Sequence, residues 1–312
     1  MMSQNLLSVH DVPESALQEI FRSAEECRLH HELSQHRNQC GTFGQYLQGK
    51  VMGTLFLEPS TRTRWSFEAA MIRLGGHVVS AHSESCSSQI KGESFEDTLH
   101  TVSQYVDTLV VRSPNPLTDT RGNYNFCIPE KRIINGGDGS HEHPTQAILD
   151  AFTIWKKLGR LDSLKIGVVG DLVHSRTIHS LLGLLGRNAG NSFVLYNPLG
   201  EELPRDYEPI APILHCDKED NFIRCVPDLN VVYLNRMQVE RWTVDDERFV
   251  DVTPFSFGEN YLEILPHDAI VLNPGPRLGE MPTLDDDRIV YYEQSLNGLF
   301  VRMAILCDFF CW

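Results

Sequence analysis

The chain has 312 residues, of which 41% are hydrophobic, and a formal net charge of −15. This length and apolar content predict a globular protein with a sizeable core and favour two domains over one. The negative charge argues against a broad surface for nucleic acid or anionic membrane, since both need an excess of Lys and Arg. An anionic substrate would therefore need a local cluster of arginines.

The eight cysteines are scattered, without a C-x-x-C pair or metal-ligand spacing. Free thiols are therefore expected, and no metal site is predicted. No apolar run approaches the roughly 18 residues that span a bilayer, and the N-terminus lacks the basic and apolar regions of a signal peptide. These features favour a cytoplasmic location.

The most informative stretch is residues 58–64, with the sequence Glu-Pro-Ser-Thr-Arg-Thr-Arg. It separates an apolar run at residues 51–57, which predicts a strand, from a segment with helical spacing around Phe67. A helix start exposes unpaired N–H groups and the positive end of the macrodipole, so hydroxyls and guanidiniums there predict a pocket for a phosphate-sized anion. The alternative is an ordinary helix cap with solvated arginines.

The remaining pattern alternates strands with helices. Further strands are predicted at residues 77–79, 109–111, 132–134, 165–169, 193–196, 230–234 and 269–272. Helices are predicted at residues 15–26, 94–105, from Pro144 onward, at 175–185 and at 299–307, with a Ser-rich surface loop at 80–88. This alternation implies parallel sheets with right-handed crossovers.

The predicted fold class is therefore α/β, with two domains that each contain a parallel sheet flanked by helices. The first domain is predicted to comprise residues 1–144, joined by a C-terminal helix at residues 297–312 that packs back on it. The second domain is predicted to comprise residues 145–296. Folds of this class place ligands at the carboxyl ends of strands.

Polar groups recur just after the predicted strands. They are residues 60–64, Arg112, His143 with Gln146, Arg176, and Arg236 with Gln238. Each alone has an ordinary explanation as a cap, a core histidine or a solvated arginine. Together they supply many donors and no obvious nucleophile, which suits a transfer reaction in which the substrates provide the nucleophile and the leaving group.

A dinucleotide site at residues 167–177 is the competing interpretation of the second half. Gly167 and Gly170 are present, but Leu172, Val173 and His174 follow, so the third glycine of G-x-G-x-x-G is missing. The pattern therefore does not favour an NAD enzyme.

Residues 56–64 resemble the carbamoyl-phosphate signature of the aspartate and ornithine carbamoyltransferases, and His143-Pro144-Thr145-Gln146 matches a second signature of that superfamily. Residues 170–177, 236–241 and 274–277 resemble the aspartate branch. The resemblance implies transfer of a carbamoyl group from carbamoyl phosphate to L-aspartate, the committed step of pyrimidine synthesis.

The resemblance also implies a role for each matching residue. Carbamoyl phosphate would be held through its phosphate by Ser60, Thr61, Arg62 and Thr63, through its carbamoyl oxygen by Thr63, Arg112 and His143, and through its amide by Gln146. Aspartate would be held by Arg176, Arg236 and Gln238. Ser87 and Lys91 would reach into a neighbouring subunit's site, with Lys91 serving catalysis and aspartate binding. Glu58 and Arg241 would be orienting residues, with Glu58 behind Arg176 and Arg241.

The family pattern further implies a homotrimer with shared active sites, with or without regulatory or other pathway chains, and no cofactor. Two alternatives remain open: a carbamoyltransferase for another amine such as ornithine, and a non-catalytic assembly paralogue. Ser113, Val173 and Asn273 depart from common family residues. Asn273 bears most on the choice of the second substrate, because it precedes a loop expected to line the pocket.

Overall fold

The computed structural model describes residues 5–37, 45–82, 92–125, 132–241, 255–281 and 283–310. The chain divides into two compact units: Met1–Leu149 with Leu296–Trp312, and Asp150–Ser295. The units divide after Leu149 and after Ser295, and the predicted domain boundaries, after residues 144 and 296, stay predictions. Within the described ranges, no helix is both long and apolar enough to cross a membrane.

The first unit is built on a four-stranded parallel sheet with the order β2-β1-β3-β4. Its strands are β1 (Val51–Phe56), β2 (His77–His82), β3 (Thr108–Ser113) and β4 (Arg132–Asp138). Its helices are α1 (Glu14–Arg37), α2 (Thr61–Arg73), α3 (Phe95–Ser103) and the start of α4 (Pro144–Leu158). The predicted strands here are confirmed, and their runs are apolar because both faces of a parallel sheet are covered.

Helix α1 and strands β2 and β4 are among the elements that are longer than their sequence patterns predict. Helix α1 continues past residue 26 to Arg37, where Arg28 pairs with Glu25 and Glu32 on the polar face. Strand β2 takes in three residues that the sequence placed at and after the start of a Ser-rich loop. Strand β4 continues through Asn135 to Asp138, because a buried ladder with β3 holds residues whose composition is typical of a turn.

The second unit has a five-stranded parallel sheet with the order β7-β6-β5-β8-β9. Its strands are β5 (Lys165–Val169), β6 (Ser192–Tyr196), β7 (Ile213–Cys216), β8 (Val231–Leu234) and β9 (Ile270–Leu272). Helices α5 (Arg176–Leu185), α6 (Glu219–Ile223) and α7 (Glu259–Ile264) accompany them. The sequence did not predict β7, an edge strand whose central residues Leu214 and His215 are exposed.

The C-terminal helix α8 (Tyr291–Phe310) begins earlier than the sequence predicts. In its first turn, the Gln294 side chain accepts from the Asn273 backbone N–H and donates to Asp150. From Leu296 onward the helix belongs to the first unit, where Arg302 lies over the Phe67 ring at 5.1 Å. The predicted return of this helix to the first domain is confirmed.

A glycine fixes the turn that follows β5. Gly170 has a φ of +132°, and a Cβ on it would collide with the backbone carbonyl of Asn235. Gly200, in the loop after β6, also has a positive φ, +75°, but no atom lies within 4 Å of its Cβ position. Comparing alanine substitutions at the two glycines therefore separates the cost of backbone strain from the cost of a steric collision.

We expect Gly170→Ala to lower the free energy of unfolding by about 3 kcal/mol, since left-handed strain and overpacking add. Gly200→Ala, the matched control, carries the strain alone and is expected to cost about 1 kcal/mol. Urea unfolding of both variants measures the difference. Equal losses would contradict the close approach of Gly170 to Asn235.

Candidate functional site

The N-terminus of α2 lies directly after β1 and carries the polar stretch singled out in the sequence. Ser60 is the N-cap residue, with extended backbone at φ −159°, and its side chain makes no capping hydrogen bond. The first turn has no acidic residue to offset the helix dipole. Arg62 is exposed, whereas Thr63 is buried. This helix end therefore presents N–H groups, hydroxyls and a guanidinium to an anion.

Thr63 and His143, 80 residues apart along the chain, are in contact. The Thr63 hydroxyl lies 3.1 Å from Nε2 of His143, and both side chains are buried. His143 directly precedes α4, and its carbonyl accepts from the N–H of Gln146 at 2.9 Å. Gln146 is also buried. The start of α4 is thus joined to the start of α2 through this pair.

Arg112 lies at the carboxyl end of β3, in register with Phe56 of the neighbouring strand β1. Its guanidinium donates to the carbonyl of Gly136 at 3.3 Å, and its Nε lies 3.5 Å from Oε2 of Glu58. The Arg112 side chain is 11% exposed. Parallel pairing therefore carries Arg112 to the same sheet edge as Glu58 and the start of α2.

The Glu58–Arg112 pair was not predicted from the sequence. The signal was present, because both residues follow the ends of strands that the sequence predicts, but the neighbouring order of those strands is a property of the folded sheet. The predicted role of Glu58 toward Arg176 and Arg241 stays a prediction.

In the second unit, Arg176 is the first residue of α5 and is buried. Ser175 caps this helix by accepting from the N–H of Ile178. Asp171, fully buried after β5, accepts from the backbone N–H of His174 at 2.8 Å and from that of Gln238 at 3.0 Å. Asp171 thus fixes the loop after β8 to the loop after β5. From the sequence, Asp171 was predicted only as one of residues 170–177, which resemble the aspartate branch.

Arg236, which follows β8, is held by a carboxylate of its own loop. Both terminal nitrogens of Arg236 contact Glu240, one of them at 2.8 Å. This hydrogen bonding raises the pKa of Arg236 above its usual range and holds the pKa of Glu240 below its usual range. Nearby, Arg241 donates to the Gln238 side chain at 3.1 Å. The Arg236 fork thus binds the Glu240 carboxylate at two points.

The three departures from common family residues have structural partners. Ser113 is buried and accepts from the N–H of Asn115. Asn273 donates to Glu280 at 2.9 Å and accepts from the N–H of Gly275 at 2.7 Å, so it fixes the loop that follows β9. The backbone N–H of Val173 donates to Asp171. Ser87 and Lys91, also predicted as site residues, lie outside the described residues.

The chemistry of these groups is that of hydrogen-bond donors. Thr63, Arg112 and His143 offer donors at one sheet edge, next to an unneutralised helix N-terminus. Among the described residues, no group of three or more His, Cys, Asp or Glu side chains is placed to hold a metal ion. Such an arrangement stabilises negative charge that is present on a substrate or develops during its reaction.

Two protein-family models together match almost the whole chain. Residues 4–156 match the model described as aspartate/ornithine carbamoyltransferase, carbamoyl-P binding domain. Residues 162–309 match the Asp/Orn binding domain of the same family. Residues 296–309 fall in the second match although they pack with the first compact unit.

Among individual relatives, the aspartate carbamoyltransferase catalytic subunit of Clostridium novyi is 36% identical, over 98% of this chain and 97% of that protein. The crystal structure of aspartate transcarbamoylase from Trypanosoma cruzi with carbamoyl phosphate has a TM-score of 0.83 and 32% identity, over 97% of this chain and 95% of that one. Its complex with carbamoyl aspartate and phosphate has a TM-score of 0.79 and 32% identity, over 97% and 94%.

Proposed function

The chain belongs to the aspartate/ornithine carbamoyltransferase family, and we propose that it transfers the carbamoyl group of carbamoyl phosphate to the amino group of L-aspartate. The products are N-carbamoyl-L-aspartate and phosphate. The names of the full-length relatives and the ligands in the related structures support this reaction. The observation that carries it in this chain is the Thr63–His143 contact, which places two donors beside the anion-binding end of α2.

In this proposal the phosphate of carbamoyl phosphate binds at the N-terminus of α2. Ser60, Thr61 and Thr63 contribute hydroxyls and backbone N–H groups, and Arg62 contributes charge. Arg62 suits this role because it is exposed and makes no ion pair with any residue that the structure describes. The same groups then stabilise the phosphate as it leaves.

The carbamoyl oxygen is assigned to Thr63, Arg112 and His143, and the carbamoyl amide to Gln146. When the aspartate nitrogen forms its bond to the carbamoyl carbon, negative charge develops on that oxygen, and the three donors stabilise it. The C–O bond to phosphate then breaks. The departing phosphate takes the proton from the nitrogen, so His143 acts as a hydrogen-bond donor and not as a base.

Aspartate is assigned to Arg176, Arg236 and Gln238. Two arginines suit the two carboxylates of aspartate and disfavour a cationic side chain such as that of ornithine. Both terminal nitrogens of Arg236 now pair with Glu240, so binding of a substrate carboxylate requires Arg236 to exchange Glu240 for the substrate. Orientation by Glu58 and Arg241, and contributions from Ser87 and Lys91, belong to the same proposal.

Substrate choice is tested by offering aspartate, ornithine or putrescine in turn with carbamoyl phosphate and following phosphate release. We expect the wild-type protein to release phosphate with aspartate alone. Arg236→Lys is expected to raise the KM for aspartate more than that for carbamoyl phosphate, since a bidentate contact is lost. His215→Ala, on the exposed face of β7, is the control. Release with ornithine but not aspartate would overturn the assignment.

Loss of the His143 donor is expected to slow the reaction without unfolding the protein. His143→Ala should reduce kcat by about 10²–10³, the usual cost of removing one oxyanion donor. Steady-state kinetics give this ratio, and circular dichroism checks the fold. A variant with full activity would mean that His143 has another role.

We also propose a homotrimer in which Ser87 and Lys91 serve a neighbouring site, within pyrimidine synthesis in the cytoplasm. Three large apolar side chains on α2 and the edge strand β2 support an interface there. Trp65, Ile72 and Val79 are 63%, 62% and 59% exposed. Because α2 and β2 are in contact, large exposed apolar side chains on both elements favour an association surface there.

Sedimentation equilibrium is expected to give three times the 35.4 kDa chain mass. Trp65→Glu should shift the protein toward the single-chain mass, because a charge buried in an apolar interface is strongly unfavourable. Tyr105→Glu is the control, since Tyr105 is a comparably exposed aromatic residue of the same unit outside α2 and β2. A wild-type protein with the mass of one chain would contradict the trimer.

A further inference from the structure

Residues 5–12, here called the N-terminal segment, contact β4 through residues 5–7 and then form a 3-10 helical turn at Val9–Asp11. Leu6 forms a parallel bridge with Ile134, its N–H donating to Ile133 and its carbonyl accepting from Asn135. The Asn5 side chain accepts from the N–H of Ile133 at 2.8 Å. The segment is thus fixed to the strand that leads into His143.

Glu142 joins this segment to the residues just before His143. Its Oε1 accepts from the hydroxyl of Ser8 at 2.6 Å, and its Oε2 accepts from the N–H of Val9 at 2.8 Å. Ser8 is fully buried and Glu142 is 5% exposed. A buried carboxyl group with a donor on each oxygen is a firm two-point link, because losing either donor leaves an oxygen without its partner away from water.

The same loop, residues 138–143, is also fixed from within. Asp138, fully buried, accepts from the N–H of Glu142 at 2.8 Å and from the N–H of Leu117 at 2.6 Å. Its own N–H donates to the carbonyl of Glu142 at 3.0 Å. Asp138 therefore sets the conformation of the loop, and Glu142 sets its position against the N-terminal segment.

We infer that Glu142 is a positioning residue for His143, acting by fastening the loop to Ser8 and Val9. The covalent neighbour of Glu142 is the histidine whose Nε2 meets Thr63 at 3.1 Å, so a shift of Glu142 moves the imidazole relative to the start of α2. Displacements of about 1 Å at a reacting group cost on the order of 10²-fold in rate. The expected effect of Glu142 on the reaction rate rests on the proposed function, whereas its expected effect on the position of His143 does not.

The charge state of Glu142 does not alter the link. Burial raises the pKa of Glu142 to about 7, the Asp138 charge adds to this, and the bonds from Ser8 and Val9 and the charge of His141 oppose it. Among the described residues, charged groups nearby include Asp11, which accepts from the N–H of Ser8, and Asp119, whose charge acts on His141. When protonated, the carboxyl group still accepts from Val9 and can donate to the Ser8 hydroxyl, which is both donor and acceptor.

A glutamine at position 142 can make the same two contacts, with Ser8 and Val9, so Glu142→Gln is the conservative variant. Glu142→Ala is expected to lower kcat by about 10-fold to 100-fold while the KM for carbamoyl phosphate changes by less than about threefold. Glu142→Gln is expected to stay within about threefold of the wild-type kcat, with the wild-type pH profile. Wild-type activity in Glu142→Ala, or equal losses in the two variants, would overturn the inference.

Ser8→Ala tests the link with a smaller change and has a matched control. Ser8→Ala and Tyr233→Phe each remove one hydroxyl that donates to a buried carboxylate, since Tyr233 donates to Asp150 at 2.8 Å in the second unit. Ser8→Ala is expected to lower kcat by about threefold to tenfold, and Tyr233→Phe is expected to leave it unchanged. Equal effects on kcat would mean that Ser8 acts only through overall stability.

A second readout does not depend on catalysis. The imidazole resonances of His143, assigned from their loss in His143→Ala, should move in the NMR spectra of Ser8→Ala and Glu142→Ala and stay in place in Tyr233→Phe. Unmoved His143 resonances in the two N-terminal variants would overturn the inference even if kcat falls. A wild-type protein without carbamoyl transfer would count against the proposed function alone, because the NMR comparison would still test the link.

Discussion

The contact between the Thr63 hydroxyl and the His143 imidazole is the interaction on which the proposed active site depends. It joins the beginnings of two helices, each of which follows a strand of the same parallel sheet. Parallel strands end at a common edge, so the sheet brings the two helix starts together without any direct sequence relationship between them. The donors around the contact then face an unneutralised helix N-terminus.

Several buried or partly buried carboxyl groups hold the candidate site residues of each unit without being proposed as substrate ligands. Asp138 and Glu142 fix the loop before His143, Glu58 faces Arg112, and Asp171 ties the loop of Gln238 to the turn after β5. Each accepts hydrogen bonds or faces a guanidinium, which offsets the cost of burying it. A chain with a net charge of −15 thus uses some of its acidic residues to hold donors in place.

Much of the α/β pattern was predictable from the sequence, because buried parallel strands are apolar runs and the helices between them show periodic spacing. The elements whose existence or bounds were predicted wrongly have physical explanations. Strand β4 runs through Asn135 and two glycines because its ladder with β3 outweighs local turn propensity, and β7 escaped prediction because edge strands need no apolar run. Helix α8 begins early because Gln294 is held by partners distant in sequence.

The candidate residues of the site were predictable as residue types at strand ends, but their partners were not. Which donor meets which group depends on tertiary pairing. The Glu58–Arg112 pair follows from the neighbouring positions of β1 and β3, and the Glu142–Ser8 pair follows from the contact of the N-terminal segment with β4. The link from Glu142 to the N-terminal segment had no sequence signal, because a Ser and a Glu 134 residues apart are unremarkable in any chain.

A crystal structure with carbamoyl phosphate bound would show whether the phosphate binds at the start of α2. We expect the phosphate at the first turn of α2, against Arg62, with the carbamoyl oxygen within hydrogen-bond distance of Thr63, Arg112 and His143. A phosphate bound away from the start of α2, or an imidazole of His143 turned away from the carbamoyl oxygen, would contradict it.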